Sequence, residues 1–301
     1  MTAYQLTSVP VRGGDLAVGV WGPADAEHTV LAVHGVTSSH QSWPLVADRL
    51  PGVRIIAPDL RGRGRSNLLP GPYGMPQHAD DLAAVLDHFE VERALVIGHS
   101  MGAFVSVVLS HRHPERVSEL VLVDGGLPLF VPEGIAPDDL TKAVLGPAQE
   151  RLTMTFNSVN NYLDFWRVHP AFADDWTDTI ENYVAYDLYG EAPELHPATM
   201  YQAVAEDSAE LTGSDSLMNA LDALTHRATF LRAPRGLLDA APLYEPEYVA
   251  QWVQKLPTVS ASDVDDVNHY TIVLGGEGAA AVAAVAREAL ARREWKTRTT
   301  A

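Results

Sequence analysis

The chain has 301 residues, 47% of them apolar, with no cysteine and a formal charge of −18. Such a chain is long enough to bury one large core and cannot form disulfides, and it holds no apolar run of membrane-spanning length. The acidic balance argues against nucleic acid or an anionic membrane as main partner, because phosphate binding draws on basic patches. No Gly-Lys-Ser/Thr occurs, so a P-loop is excluded.

In chain order, Gln5 to Val11 and Leu16 to Trp21 flank Gly13-Gly14, which suits an antiparallel hairpin. The amino-terminal stretch lacks the basic start and apolar run of a secretory signal, so a cytoplasmic protein is expected. From Thr29 to about Asp124, short apolar runs alternate with amphipathic helix patterns, the rhythm of βαβ units around a parallel sheet. The runs are Thr29 to Val33, Arg54 to Ala57, Ala94 to Ile97 and Leu120 to Val123. Between them, Leu82, Val85, Leu86 and Phe89 mark one face of a helix, and a helix from Gly102 should stop near His113, ahead of Pro114.

The pattern resumes with strands at Ala228 to Leu231 and Val259 to Ser262 and with helices near Glu247 to Leu256 and Gly278 to Arg293. Residues 125–226 have helical spacing and no convincing strand, and roughly 100 residues are too many for a connecting loop. They are read as a helical cap inserted into a core made of 1–124 and 227–301. Phe156, Tyr162, Phe165, Trp166, Phe172, Trp176, Tyr183, Tyr186 and Tyr189 supply the cap's own core, with some of them roofing a cleft.

The strongest local signal is Gly98-His99-Ser100-Met101-Gly102, a G-x-S-x-G directly after a strand and directly before a helix. A serine in so tight a turn needs small neighbours two residues away, and Gly98 and Gly102 provide them. The turn lifts the hydroxyl above the sheet, and the helix amino terminus offers unpaired N–H groups to a developing oxyanion, Met101 first among them.

With this motif in place, the chain resembles the α/β-hydrolase superfamily, in its serine-nucleophile members with a helical cap, over nearly its whole length. Val33-His34-Gly35 resembles the superfamily's His-Gly oxyanion loop, which implies that the N–H of Val36 faces substrate while His34 is structural. Asp59, Arg61, Gly62, Gly64 and Ser66 resemble the D-x-R-G-x-G-x-S turn of capped members, read as structural rather than phosphate-binding. The resemblance makes His269, in DVNHYTIV after the last strand, the general base, and of the 12 histidines it alone occupies that place. Gly35, His99 and Trp166 are expected to border the substrate.

A serine hydroxyl needs a base, and the base needs an acid to orient it. Chain order places that acid between Ser100 and His269. Asp239, in the loop after the ATFL strand but a few residues later than usual, is favoured; Asp124, ending LVLVD, is the alternative. His111 and His113 have no further ligand at metal spacing, and Asp263, Asp265 and Asp266 read as a solvated loop, so neither metal nor cofactor is expected. The expected function is a cofactor-free serine hydrolase of the carboxylesterase or lactonase type, cleaving a small to medium, mostly apolar substrate through an acyl-enzyme. A carbon–carbon bond hydrolase of β-diketones or vinylogous ketones is the alternative within enzymes, and a ligand-binding receptor the alternative outside them. The expected partner is a small molecule, with no nucleic acid or membrane, and the chain a monomer or homodimer.

Overall fold

The computed structural model describes residues 3–131 and 150–298, with side chains up to residue 292. Strands β1 (Tyr4–Val11) and β2 (Gly14–Trp21) form the expected hairpin, followed by β3 (Thr29–Val33), β4 (Arg54–Pro58), β5 (Ala94–His99), β6 (Val117–Val123), β9 (Ala228–Arg232) and β10 (Val259–Asp263). They build one eight-stranded sheet in the order β1-β2-β4-β3-β5-β6-β9-β10. The pairs β1/β2 and β2/β4 are antiparallel and the remaining pairs parallel. This is the α/β-hydrolase architecture, a mostly parallel sheet flanked by helices.

The central strands are apolar because both of their faces are covered. All five residues of β3 are buried, with Leu31 and Val33 in the core on one face and Val30 and Ala32 in the core on the other. The first core takes Leu82, Val85 and Leu86 of α2 (Met75–His88) together with α3 (Met101–Arg112). The second takes α1 (Pro44–Asp48) and α10 (Gly276–Arg298), the latter reaching the sheet through Ala279, Val282, Ala283 and Ala286. Strand β10 lies at the edge, and only its Val259 is buried.

Between β6 and β9 lie α4 (Val159–Arg167), α5 (Asp178–Tyr186), α6 (Tyr201–Ser208) and α7 (Asp215–Asp222). Ser158, Thr177 and Ser214 cap α4, α5 and α7 by accepting the N–H three residues on, the local reason those helices begin where they do. The expectation of no strand here is corrected. Leu188–Glu191 (β7) and Glu194–Pro197 (β8) pair as an antiparallel hairpin, and Phe156 adds a bridge to Leu195. Four-residue strands joined by a two-residue turn leave almost no periodic signal. Part of the expected insertion, residues 132–149, lies outside the described residues. After β9 come α8 (Pro246–Lys255) and α9 (Thr271–Leu274). No helix among the described residues is long and apolar enough to cross a membrane.

Candidate active site

Ser100 occupies the single residue between β5 and α3, with φ +54° and ψ −127°, a conformation that L residues avoid. The turn closes because its neighbours are small. A Cβ on Gly98 would lie 2.4 Å from the Gly102 carbonyl oxygen, and one on Gly102 would lie 2.1 Å from that of Val33. A third glycine, not singled out from the sequence, is as tightly held: a Cβ on Gly125 would lie 2.2 Å from the Ser100 carbonyl oxygen. Met101 is the first residue of α3, where backbone N–H groups lack partners within the helix.

The loop after β3 brings Gly35 and Val36 beside the serine. A Cβ built on Gly35 would stand 3.1 Å from Ser100 Cβ and 3.5 Å from its Oγ. His34 is wholly buried, donates from Nδ1 to the Gly35 carbonyl at 2.8 Å and accepts the Leu60 N–H on Nε2 at 2.9 Å. Gly35 C=O and Val36 N–H belong to one peptide, so the imidazole fixes the orientation of the expected oxyanion donor. Burial pushes the His34 pKa down to about 3, which keeps the ring neutral and able to make both bonds.

His269 Nδ1 donates to Asp124 Oδ2 at 2.6 Å, with the two side chains 4% and 0% exposed. Asp124 directly follows β6, and its other oxygen accepts the Ala233 N–H at 3.1 Å. This bond uses the ring nitrogen Nδ1, so Nε2 remains for a proton on the serine. The carboxylate that meets His269 is therefore Asp124 and not the favoured Asp239. Asp239 pairs with Arg235 at 2.8 Å and accepts from Asn268 Nδ2 at 3.0 Å, and its own N–H closes a turn onto the Gly236 carbonyl at 3.1 Å. His99 Nε2 donates to the His269 carbonyl at 2.8 Å, and the two rings lie 4.8 Å apart. Burial first, and the nearby His269 second, hold the His99 pKa well below the usual histidine range, so His99 braces His269 as a neutral ring.

Ser100, His269, His99, Gly35 and Val36 line one cavity. The lining combines apolar side chains, Phe104, Leu129, Leu211, Leu237, Leu243 and Val273, with the polar Thr37, Ser38, Ser42, Tyr183 and Tyr270. Tyr183 donates to Ser38 Oγ at 3.2 Å, and Ser38 and Ser42 hydroxyls meet at 2.6 Å. Burial raises Tyr183 to about 12 and pushes Tyr270 up as well, so both phenols stay protonated.

Trp166 is corrected as a residue bordering the substrate. It lines a smaller recess that adjoins the cavity through Thr37, Ser38 and Tyr183. There the Arg151 guanidinium lies 5.1 Å from its ring and pairs with Asp187 at 2.8 Å. Tyr162 also donates to Asp187. Tyr183 and Tyr270 line the cavity with Ser100, and Trp166 does not. Tyr270 could have been found as the neighbour of His269; nothing in the spacing distinguishes Tyr183 from the other aromatics.

Among families of known proteins, residues 28–166 match the model described as alpha/beta hydrolase fold. The chain is 38% identical over 115 residues to the lipase LipV of Mycobacterium tuberculosis, an alignment that covers 38% of this chain and 43% of that one. It is 33% identical over 150 residues to the bifunctional esterase/perhydrolase DCH of Acinetobacter calcoaceticus, covering 46% and 51%. The chain thus spans about half the length of the curated relatives it matches. Among solved structures, the thioesterase domain from the curacin biosynthetic pathway superposes with a TM-score of 0.74 at 21% identity, covering 94% of this chain and 99% of that one. E-2-(acetamidomethylene)succinate hydrolase superposes with 0.77 at 21% identity, covering 95% and 98%. With the sheet order, the serine turn and these likenesses together, the chain has the α/β-hydrolase fold.

Proposed function

We propose that the protein is a serine hydrolase that cleaves an ester or lactone with a mostly apolar acyl part through an acyl-enzyme. The observation that carries this reading is the buried Asp124–His269 hydrogen bond opening onto the same cavity as Ser100. In this mechanism Ser100 Oγ attacks the carbonyl carbon while His269 Nε2 takes the hydroxyl proton. Asp124 holds the ring and stabilises the imidazolium, and the N–H groups of Val36 and Met101 receive the oxyanion. His269 then gives its proton to the departing oxygen, and water repeats the sequence on the acyl-enzyme to release the acid and restore Ser100. A carboxylate nucleophile, needed for alkyl-enzyme chemistry, has no counterpart at position 100.

The cavity walls support an acyl group seated among Phe104, Leu129 and Leu211, with its polar end toward Thr37, Ser38 and Tyr183. The segment between β6 and β9 acts as a cap in this reading, since it contributes Tyr183, Ser208, Leu211 and Thr212 to the lining. The reading is tested with purified protein against p-nitrophenyl esters, lactones and β-diketones, beside Ser100→Ala. Ester or lactone turnover that disappears in Ser100→Ala, with one fluorophosphonate label on Ser100, is the expected result. Turnover of β-diketones alone moves the assignment to carbon–carbon bond hydrolysis, and turnover retained by Ser100→Ala refutes the nucleophile.

A further inference from the structure

Arg63 lies in the turn after β4, between the two glycines of the D-x-R-G-x-G-x-S pattern, and its side chain is wholly buried. Its guanidinium reaches three separate parts of the molecule. Nε donates to the Val36 carbonyl at 2.9 Å, and Nη2 lies 3.8 Å from the Met101 sulfur, so the same group touches both residues whose N–H groups face the oxyanion in the proposed mechanism. Nη1 donates to the Arg61 carbonyl at 2.8 Å and pairs with Asp207 Oδ2 at 2.6 Å. Asp207 belongs to α6, and the next residue, Ser208, lines the cavity.

Asp207 is itself fully engaged. It accepts the Gly74 N–H at 2.5 Å and His78 Nε2 at 3.0 Å, all without solvent exposure of the ionic side chains. The seat for α6 is shaped to match: the Met200 N–H donates to the Gly62 carbonyl at 2.9 Å, and a Cβ on Gly62 would lie 2.6 Å from that of Ala203. His34 holds the carbonyl before Val36 and Arg63 holds the carbonyl after it, so the oxyanion residue is gripped on both sides, once from the core and once through a group anchored on α6.

We propose that Arg63 is a positioning residue for the oxyanion hole, and that its pairing with Asp207 makes the aim of the Val36 and Met101 N–H groups depend on the seating of α6. This rests on the serine-hydrolase reading above. A substrate that presses on the end of α6 at Ser208 thereby acts on the donors that stabilise its own transition state. Arg fits this place because its fixed fork addresses a carbonyl and a carboxylate at once; a lysine ammonium is a single point and cannot span Val36 and Asp207 together.

The test compares wild type, Arg63→Lys and Asp207→Asn by saturation stoichiometry with a fluorophosphonate, by its labelling rate, and by kcat and KM for p-nitrophenyl butyrate per labelled site. Removing one oxyanion donor costs about 10²–10³ in turnover, so displacing donors that remain present should cost about 10- to 100-fold. All three proteins should take one label per chain. Labelling rate and kcat should fall by that amount in Arg63→Lys and by less in Asp207→Asn, with KM within about twofold because ground-state contacts are kept. Should Arg63→Lys fail to fold, Asp207→Asn decides alone, since it retains Arg63 and an oxygen for the Gly74 N–H. Loss of thermal stability with kcat per labelled site and labelling rate unchanged in the folded variants makes Arg63 a structural residue and overturns the proposal. A wild-type protein that takes no label on Ser100 overturns the nucleophile reading and this proposal with it, a result readily told from the former.

Discussion

Two loops at the carboxyl end of the sheet each offer an aspartate near His269, and they treat it differently. Asp124, at the end of β6, is 0% exposed and gives one oxygen to the His269 ring and the other to a backbone N–H. Asp239, in the loop after β9, keeps 35% of its side chain exposed and pairs with Arg235. Both have positive φ, +46° and +57°, so backbone strain does not separate them. What separates them is whether the carboxylate has given up water. A buried carboxylate persists as an anion only where its oxygens are satisfied, and its field then acts on His269 at low effective dielectric.

The sharpest break of this comparison is Asp124→Asn. In serine proteases the equivalent change costs about 10⁴ in turnover by presenting the wrong imidazole tautomer. A loss of about that order is expected here, read as kcat with folding verified by circular dichroism. A modest loss, with Asp239→Asn the more severe, would return the acid to the β9 loop.

Gly125→Ala probes the same strand end through the backbone. A methyl 2.2 Å from the Ser100 carbonyl oxygen must push the elbow aside. Displacements of around 1 Å in a catalytic group can cost about 10²-fold, the loss expected in kcat and in labelling rate. Full activity in this variant would mean that the elbow yields freely.

The buried neutral histidines make a third distinction, between this end of the molecule and its solvated loops. His34 is pushed to about 3 and His169 to about 4, in each case chiefly by burial, and His99 well below its usual range. Each binds fewer protons folded than unfolded below pH 6.5. Their contribution is therefore complete above that pH and is lost as pH falls toward the folded values, amounting to about 2 kcal/mol per fully buried ring by pH 5. The lowered Asp59 and Asp207 add to the loss only below the carboxylate range. The raised Asp187 and Glu210 carboxyls offset part of this loss, so Tm should fall between pH 7 and pH 5 by less than the histidines alone would give, and a rise over that interval would contradict the burial of these rings.

Tyr183→Phe addresses the cavity instead of the dyad. It removes the donor to Ser38 Oγ in the cavity lining and leaves the ring in place. The expected change in kcat/KM is about tenfold or less, the size of one hydrogen bond, and it should differ between short and long acyl esters. An equal change for every ester would make the hydroxyl a structural contact only.

The parallel sheet and the elbow were legible because their causes are local. Five consecutive buried residues in β3 must be apolar, and a serine with φ +54° must have small neighbours. The choice of aspartate facing His269 was not legible, because Asp124 and Asp239 differ in burial and in partners contributed from more than 100 residues away, such as Ala233 and His269 for Asp124. The same holds for Arg63, whose turn is visible in the sequence while its partner Asp207 is not. The hairpin Leu188–Pro197 was missed for the opposite reason, being too short to carry a period.

The smallest expected effect is that of Asp239→Asn. Asparagine tolerates positive φ as aspartate does, so the backbone at +57° need not move. The amide oxygen can still accept from Asn268 Nδ2, which also donates to the Ala171 carbonyl at 2.9 Å, while Asn268 Oδ1 continues to hold the Tyr270 and Thr271 N–H groups. Only the ionic part of the contact with Arg235 is lost, and both of those side chains are more than one-third exposed. Exposed pairs contribute about 0–1 kcal/mol, so activity should fall by roughly fivefold at most, and Tm should barely change. Asp239→Ala should cost somewhat more than Asp239→Asn, because it also removes the acceptor that steadies Asn268 beside His269. Equal and severe losses in both variants would show that the carboxylate charge itself reaches the base, and that exposure is the wrong criterion for telling the two aspartates apart.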